Sequence, residues 1–382
     1  MKTIKTITAA AVLAALSMPA SANIDWSGFA SVGGGVTTGS DEQLFGYDND
    51  MSFLPDTLFA LQGTATLSDR ISVTTQLMAR GNDDFNLGVE WAYISFRMTD
   101  SLTLNTGKLR LPFYLYSDSL DVAYSYHWLR TPESVYRAPF ENYTGASLQH
   151  NTFVGDAVIS TQFVAGNVDD NVYAPTSDED IRVETNNLLG ASVSAMIHSW
   201  TLRAGYFHTN DVSVFMIDPA YQGLIGSLNQ AGLTDTVDAI DFLGDTGTFT
   251  SVGAFYDNMS WFAGFEYTEL ENKDSIFGTD RSNYFTAGKR FGSYTLHGTF
   301  AQTDDKASNA AATIPAVPAF TPFVGAVEGL AQSQASRIDY TSVGLRYDFA
   351  RGITVKFDFT HADDKNNDQT SNLISFALQT VF

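Results

Sequence analysis

The side chains able to do chemistry are few in kind. Cysteine is absent, which excludes thiol nucleophiles, disulfides and thiolate metal sites. Six histidines, His127, His150, His198, His208, His297 and His361, are scattered without the spacing of a metal site. Ser147 and His150 stand close in sequence. Three residues apart on one strand, they fall on opposite faces and cannot act as nucleophile and base. Acidic pairs recur, as at Asp83-Asp84, Asp169-Asp170, Asp304-Asp305 and Asp363-Asp364, but none has a calcium-loop spacing. What remains is a concentration of opposite charges: Lys108, Arg110, Arg130 and Arg137 against Asp118, Asp121, Glu133 and Glu141. Arg80, Arg203, Arg346 and Lys356 add cations elsewhere. Two chemistries suit such a set. It can replace part of the hydration shell of a passing ion without trapping it, or its members can pair and cap within a folded loop.

The elements that must position these charges read as strands. Alternation and turn signals place sixteen of them, at about 24–37, 57–68, 71–81, 87–98, 102–109, 142–151, 157–165, 184–197, 200–209, 248–257, 260–270, 282–291, 294–303, 337–349, 352–362 and 371–382. Every even-to-odd connection is short, such as Asp69-Arg70, His198-Ser199, Asn258-Met259 and Gly292-Ser293. The odd-to-even connections are mostly long: 38–56, 110–141, 166–183, 210–247, 271–281 and 304–336, with shorter ones at 82–86 and 363–370. Short-long alternation with an even strand count is the signature of an antiparallel up-and-down barrel with one trimmed rim and one elaborated rim. Facing is clear in several strands. Phe59, Leu61, Ala65 and Leu67 oppose Gln62, Thr64 and Thr66; Trp261, Ala263, Phe265 and Tyr267 oppose Glu266 and Thr268; Ile353, Val355, Phe357 and Phe359 oppose Thr354, Lys356 and Asp358. By the same parity Arg80, Arg203, Arg346 and Lys356 turn inward. A guanidinium on a lipid face at mid-bilayer would cost roughly 2–4 kcal/mol.

Composition narrows the class. No stretch supplies the ~18 uncharged apolar residues of a membrane-spanning helix, yet aromatics reach 13% of the chain. A chain this aromatic and only half apolar suits a barrel with its oily side outward. Its 43 acidic residues against 21 basic ones give a formal charge of −22, which argues against nucleic acid as a partner. Residues 1–22 carry Lys2 and Lys5, an apolar run from Ala9 to Leu16 and Ala20-Ser21-Ala22, the layout of a cleaved export signal. The expected domains are therefore a signal peptide at 1–22 and a transmembrane barrel at 23–382.

Leu373-Ile374-Ser375-Phe376-Ala377-Leu378-Gln379-Thr380-Val381-Phe382 resembles the C-terminal signal of bacterial outer-membrane β-barrels. The resemblance implies that Phe376, Leu378 and Phe382 are read by the barrel-assembly machinery. Architecture over residues 23–382 resembles the sixteen-stranded Gram-negative porins, whose third outer loop folds into the barrel and narrows it. That loop here is 110–141, dense in Tyr, Trp and Leu. Gly107-Lys108-Leu109-Arg110-Leu111-Pro112-Phe113 is similar to the stretch that enters this loop in substrate-selective porins, although the run of loop cations that strong phosphate selectivity needs is missing.

The resemblance implies a multi-pass protein of the outer membrane, a homotrimer, lipid and lipopolysaccharide as surroundings, no cofactor or metal, and no catalysis. The expected function is a water-filled channel for passive diffusion of ions and small hydrophilic solutes. Its constriction would be formed by Lys108, Arg110, Asp118, Asp121, Arg130, Glu133 and Arg137, with Arg80, Arg203 and Arg346 from the wall. Two alternatives stay open: a channel specific for a small anion, with Arg110, Arg130 and Arg137 as a binding ladder, or a plugged surface-interaction barrel. Charge in the eyelet decides selectivity, because salt screens each group over ~8 Å; the acid-rich rim favours cations and the wall arginines favour anions, so both signs stay open.

Overall fold

The structure, a computed structural model, describes residues 23–382 apart from 41, 175–178, 216–217 and 274. The expected signal peptide at 1–22 lies outside the described residues. Sixteen strands alternate as the turn chemistry requires: β1 Asn23–Thr37, β2 Leu58–Ser68, β3 Ile71–Arg80, β4 Gly88–Arg97, β5 Leu102–Arg110, β6 Asn142–Val154, β7 Ala157–Ala174 and β8 Glu179–Ile197. They continue with β9 Trp200–Phe215, β10 Leu243–Asp257, β11 Trp261–Lys273, β12 Phe277–Phe291, β13 Tyr294–Ala307, β14 Ser336–Ala350, β15 Ile353–Asp364 and β16 Gln369–Val381. Each pairs antiparallel with its chain neighbours, and β1 pairs with β16, so the sheet closes on itself and leaves no edge. The seam runs from Phe29↔Val381 to Thr37↔Leu373. Gly28 exchanges backbone hydrogen bonds of 2.8 and 2.9 Å with Phe382. A Cβ at Gly28 would lie 2.6 Å from the Phe382 ring, so only glycine lets that ring lie back across β1 toward Phe59.

Facing follows the pleat. Phe59, Trp261, Phe265, Phe357, Phe359, Ile374 and Leu378 stand exposed on the outside, where lipid would cover them. Gln62, Thr64, Glu266, Thr268, Lys356 and Asp358 turn inward. Along the short-turn rim, Trp200, Tyr256 and Trp261 stack in series at 5.0 and 4.7 Å, and Tyr294 stacks on Tyr347 at 4.6 Å. Amphipathic rings at that level suit a membrane–water boundary.

The other rim is uneven. β5 has 9 residues and β7 has 18; at about 3.4 Å per residue the wall is low over β2–β5 and tall from β7 onward. The first loop straddles the low side. Leu44 and Tyr47 are buried against Leu373 and Ala362 inside, while Phe53 crosses to the outer face and meets Phe376.

One loop expectation needs correction. Residues 166–174 and 179–183 are strand rather than loop: β7 reaches Ala174 and β8 begins at Glu179, past a bulge between Gly166 and Val168, with Val168 and Val183 buried on the inner face and Arg182 bridged to Asp169 at 3.0 Å. The run Asp169-Asp170-Asn171 has turn composition, but cross-strand pairing overrides it. The long connection 304–336, rich in Ala and Pro, contains a helix, α3 Thr321–Ser333, with Pro322 in its first turn.

The connection 210–247 contains a helix, α1 Pro219–Gln230, capped by Asp218, whose carboxylate accepts from the Tyr221 N–H at 2.8 Å. It is followed by α2 Thr234–Asp238. The helical segments bury Leu228, Leu233, Ile240, Ile276, Val327 and Ala331 in one apolar cluster, so the two long loops form a joint cap on the tall rim.

Candidate pore constriction

Residues 111–141 lie inside the barrel. A long segment there carries many backbone carbonyls and N–H groups that must find partners, and the inner wall supplies them. Lys356, fully buried, donates its three protons to the carbonyls of Ala123, Tyr126 and Trp128 at 2.6, 2.8 and 2.6 Å. Arg346 donates to the carbonyls of Tyr124 and Tyr126, both at 2.7 Å, and bridges Asp348. Asp358 accepts from the Leu129 N–H at 3.0 Å, and Gln379 donates to the Leu129 carbonyl at 2.9 Å. Glu266 accepts from the Leu115 N–H at 2.7 Å and from the Tyr136 hydroxyl at 2.6 Å. Ser251 holds the Phe113 carbonyl at 2.6 Å, and Arg203 donates to the Pro112 carbonyl.

The tyrosines and Trp128 then pack into one cluster with Phe113, Phe207, Phe249 and Tyr284. Each aromatic hydroxyl or N–H needs an acceptor when buried. Tyr136 uses Glu266, and Trp128 donates to Thr299 at 2.8 Å.

The loop therefore covers one side of the lumen. Thr286, Thr354, Lys356, Ser375 and Gln379, all inward on β12–β16, retain at most 1% of their surface. On the opposite side Gln62, Thr64, Asn105, Gln149 and Gln162 stay partly accessible. They are linked in cross-strand pairs such as Gln76–Gln62 at 3.3 Å and Ser95–Asn105 at 2.7 Å.

The charged residues fall into separate groups. Arg80 bridges Glu90 at 3.0 Å and Asp121 at 2.9 Å; Arg110 bridges Glu90 at 2.7 Å, Asp121, and Glu141 at 3.1 Å. Three carboxylates thus converge within 4.8 Å of one another, a spacing that suits a cation, and two guanidiniums provide the positive charge. Burial opposes ionisation of Asp121, but Arg110 and Arg80 outweigh it and hold this carboxyl at about 2. Burial and then the Asp121 charge push Glu141 up to about 7 despite Arg110. Glu141 keeps 36% of its side chain open, but to a confined lumen ringed by other carboxylates.

Arg130 forms a two-pronged pair with Asp56, stacks over Phe45 and Tyr47, and lies at 4.0 Å from the half-exposed Glu133. Arg137 pairs with Asp305. Lys108 donates to the Val89 carbonyl at 3.0 Å, and Asp118 is exposed. Arg110, Arg130 and Arg137 are each matched to wall or first-loop carboxylates and do not line up as a ladder. Arg346 and Lys356 point inward as parity requires, but the loop covers them. Sequence parity had placed Glu266 and Asp358 inward; Asp56, Glu90 and Asp305 were missed, since nothing local marks them as partners. Phe376, Leu378 and Phe382 stand on the outer face at the seam.

Comparison with known proteins agrees with this architecture. No curated protein matches the sequence. Among solved structures, the outer membrane channel DcaP of Acinetobacter baumannii superposes with a TM-score of 0.59 at 9% identity, over 94% of this chain and 97% of that one. OmpF of Salmonella typhi in complex with daunomycin gives 0.58 at 12%, over 94% and 97%. The trimer form of OmpT of Vibrio cholerae gives 0.54 at 12%, over 95% and 100%. The family model for Gram-negative porins matches residues 9–379. The chain belongs to the Gram-negative porin family and is an outer-membrane channel for passive diffusion of solutes.

Proposed function

We propose that water and solutes pass between the inner loop and the polar wall of β2–β8, and that this path prefers small cations. The observation that supports it most is the lopsided docking of residues 111–141: their backbone is tied to β9–β16, while Gln62, Thr64, Asn105, Gln149 and Gln162 across the lumen stay partly accessible. The charge balance supports the sign. Arg80, Arg110, Glu90, Asp121 and Glu141 include one more carboxylate than guanidinium; so do Arg130, Asp56 and Glu133, and so do Arg137, Asp305 and Asp280. Lys108 and Arg203 offset part of that surplus. Selectivity is accordingly a joint property of Lys108, Arg110, Asp118, Asp121, Arg130, Glu133, Arg137, Arg80 and Arg203, with Arg346 holding the loop in place. The test is a reversal potential in a potassium chloride gradient across a planar bilayer. A cation-selective sign is expected; an anion-selective sign would overturn the reading, and an absence of steady current would favour a plugged barrel.

Further features follow from this reading. Residues 1–22 act as a cleaved export signal, and N-terminal sequencing of protein recovered from outer membranes should begin at Asn23. The low wall of β2–β5, with Phe53 on the outer face beside it, is the side where three copies would meet in a homotrimer. Lipid and lipopolysaccharide surround the rest, and the strand ending in Phe376, Leu378 and Phe382 is recognised by the assembly machinery. The lumen serves transport, not catalysis.

A further inference from the structure

Above the docked loop, between it and the outer parts of β8–β12, the lumenal wall changes character. Elsewhere many inward positions are polar, such as Gln62, Thr64, Thr354 and Gln379. Here Val183, Leu188, Phe207, Phe249 and Leu270, together with Phe113 of the loop, line a cavity of about 340 Å³. The volume is within the range of small-molecule sites, which are typically apolar pockets with a few polar groups at the border. An apolar recess in a water-filled channel does nothing for an inorganic ion or a sugar. It withdraws from water a solute that carries a hydrocarbon ring. The aromatic walls add preferred geometry, since Phe113 already lies 4.8 Å from Phe207 and 4.3 Å from Phe249.

Charge at the border gives the second half of the recognition. Arg137, Asp245 and Asp280 line the cavity, and Arg137 is paired with Asp305 just beyond it. Three carboxylates accompany one guanidinium, so the border attracts a cation and repels an anion. The site lies within the barrel wall, where neither a bilayer chain nor another protein reaches it.

The geometry points to a binding site for small alkylammonium cations that carry an aromatic ring, the ring lodged among Phe113, Phe207, Phe249 and Leu270 and the ammonium group toward Asp280. Entry takes the water path proposed above as its route. Such a site slows one class of solute relative to others and raises its local concentration at the constriction.

Single channels in planar bilayers test this, with phenethylammonium added on the side of the long loops. Phenylacetate serves as the same ring with opposite charge, and ethylammonium as the same charge without a ring. Phenethylammonium should interrupt the current at a concentration at least about tenfold below either control, equivalent to ~1.4 kcal/mol of preference. Leu270→Ser and Asp280→Asn should each weaken that block, measured against the variant's own open-channel current. Equal block by ethylammonium would remove the ring site, and equal or stronger block by phenylacetate would overturn the assigned charge. Normal current without any block would overturn the site while leaving the diffusion path standing.

Discussion

The two halves of the inner wall are built from similar residues and do different work. On β12–β16, Thr286, Thr299, Lys356, Asp358 and Gln379 are spent on the inner loop and lose their water. On β2–β7, Gln62, Thr64, Asn105, Gln149 and Gln162 pair with Gln76, Thr74, Ser95, Ser160 and Ser147 across strands and keep part of theirs. Polarity on a lumenal face thus does not by itself mark a conduit. What separates the halves is whether a loop backbone arrives to use the donors and acceptors. The covered half has its energetics in satisfied buried groups, which are costly to disturb one at a time. The open half exchanges protein and water partners at little net gain.

That contrast can be broken by mutation, and the largest effect is expected at Lys356. Lys356→Met keeps the length and strands three buried carbonyls; at about 1–3 kcal/mol for each unsatisfied group, the loop should detach. Thermal unfolding in detergent would show a clear loss of stability, and single channels a larger and noisier conductance. Glu266→Gln is milder. The amide still accepts from the Leu115 N–H but sets a second donor against the Tyr136 hydroxyl, for a loss of roughly 1–2 kcal/mol in the same melt.

The charged cluster sharpens the comparison through pH. Glu141 titrates at about 7, so the carboxylate surplus around Arg80 and Arg110 shrinks as pH falls through neutrality. Reversal potentials should lose cation preference between pH 8 and pH 6, and Glu141→Gln should flatten that profile. Linkage gives a second signature. The folded Glu141 holds its proton above the ordinary 4.5, so its stabilising contribution is lost as pH rises toward about 7. Asp121, held at about 2 against an ordinary 3.8, contributes in the opposite sense and is lost only in strong acid. The smallest stability effect belongs to the open half: Gln149→Ala should stay within ~0.5 kcal/mol in thermal unfolding while still altering conductance.

Much of this was legible in the sequence because a strand's side chains alternate with period two. Sixteen strands, their order and the outward set Phe59, Phe265, Phe357 and Ile374 all follow from that. Length of hairpin was less legible, as β7 and β8 show: Asp169-Asp170-Asn171 has loop composition but is held in the sheet by its partner strand. The site was half legible. Parity aimed Arg346 and Lys356 inward, and loop composition announced a packed segment. Pairing was not, because Lys356 and Ala123 are 233 residues apart and Gln379 and Leu129 are 250 apart. No local pattern connects them.

The seam between β1 and β16 has a consequence for assembly. Most wall partners of residues 111–136 belong to strands that leave the synthesis machinery long after the loop does, and Gln379, three positions before the end, is among them. The loop must stay uncommitted until the final strand arrives, since neither closure nor interior packing can finish without it. High sequence separation of this kind slows folding. Because the same strand that shuts the cylinder also brings Gln379 to the loop, the gate and the wall should mature in one late event.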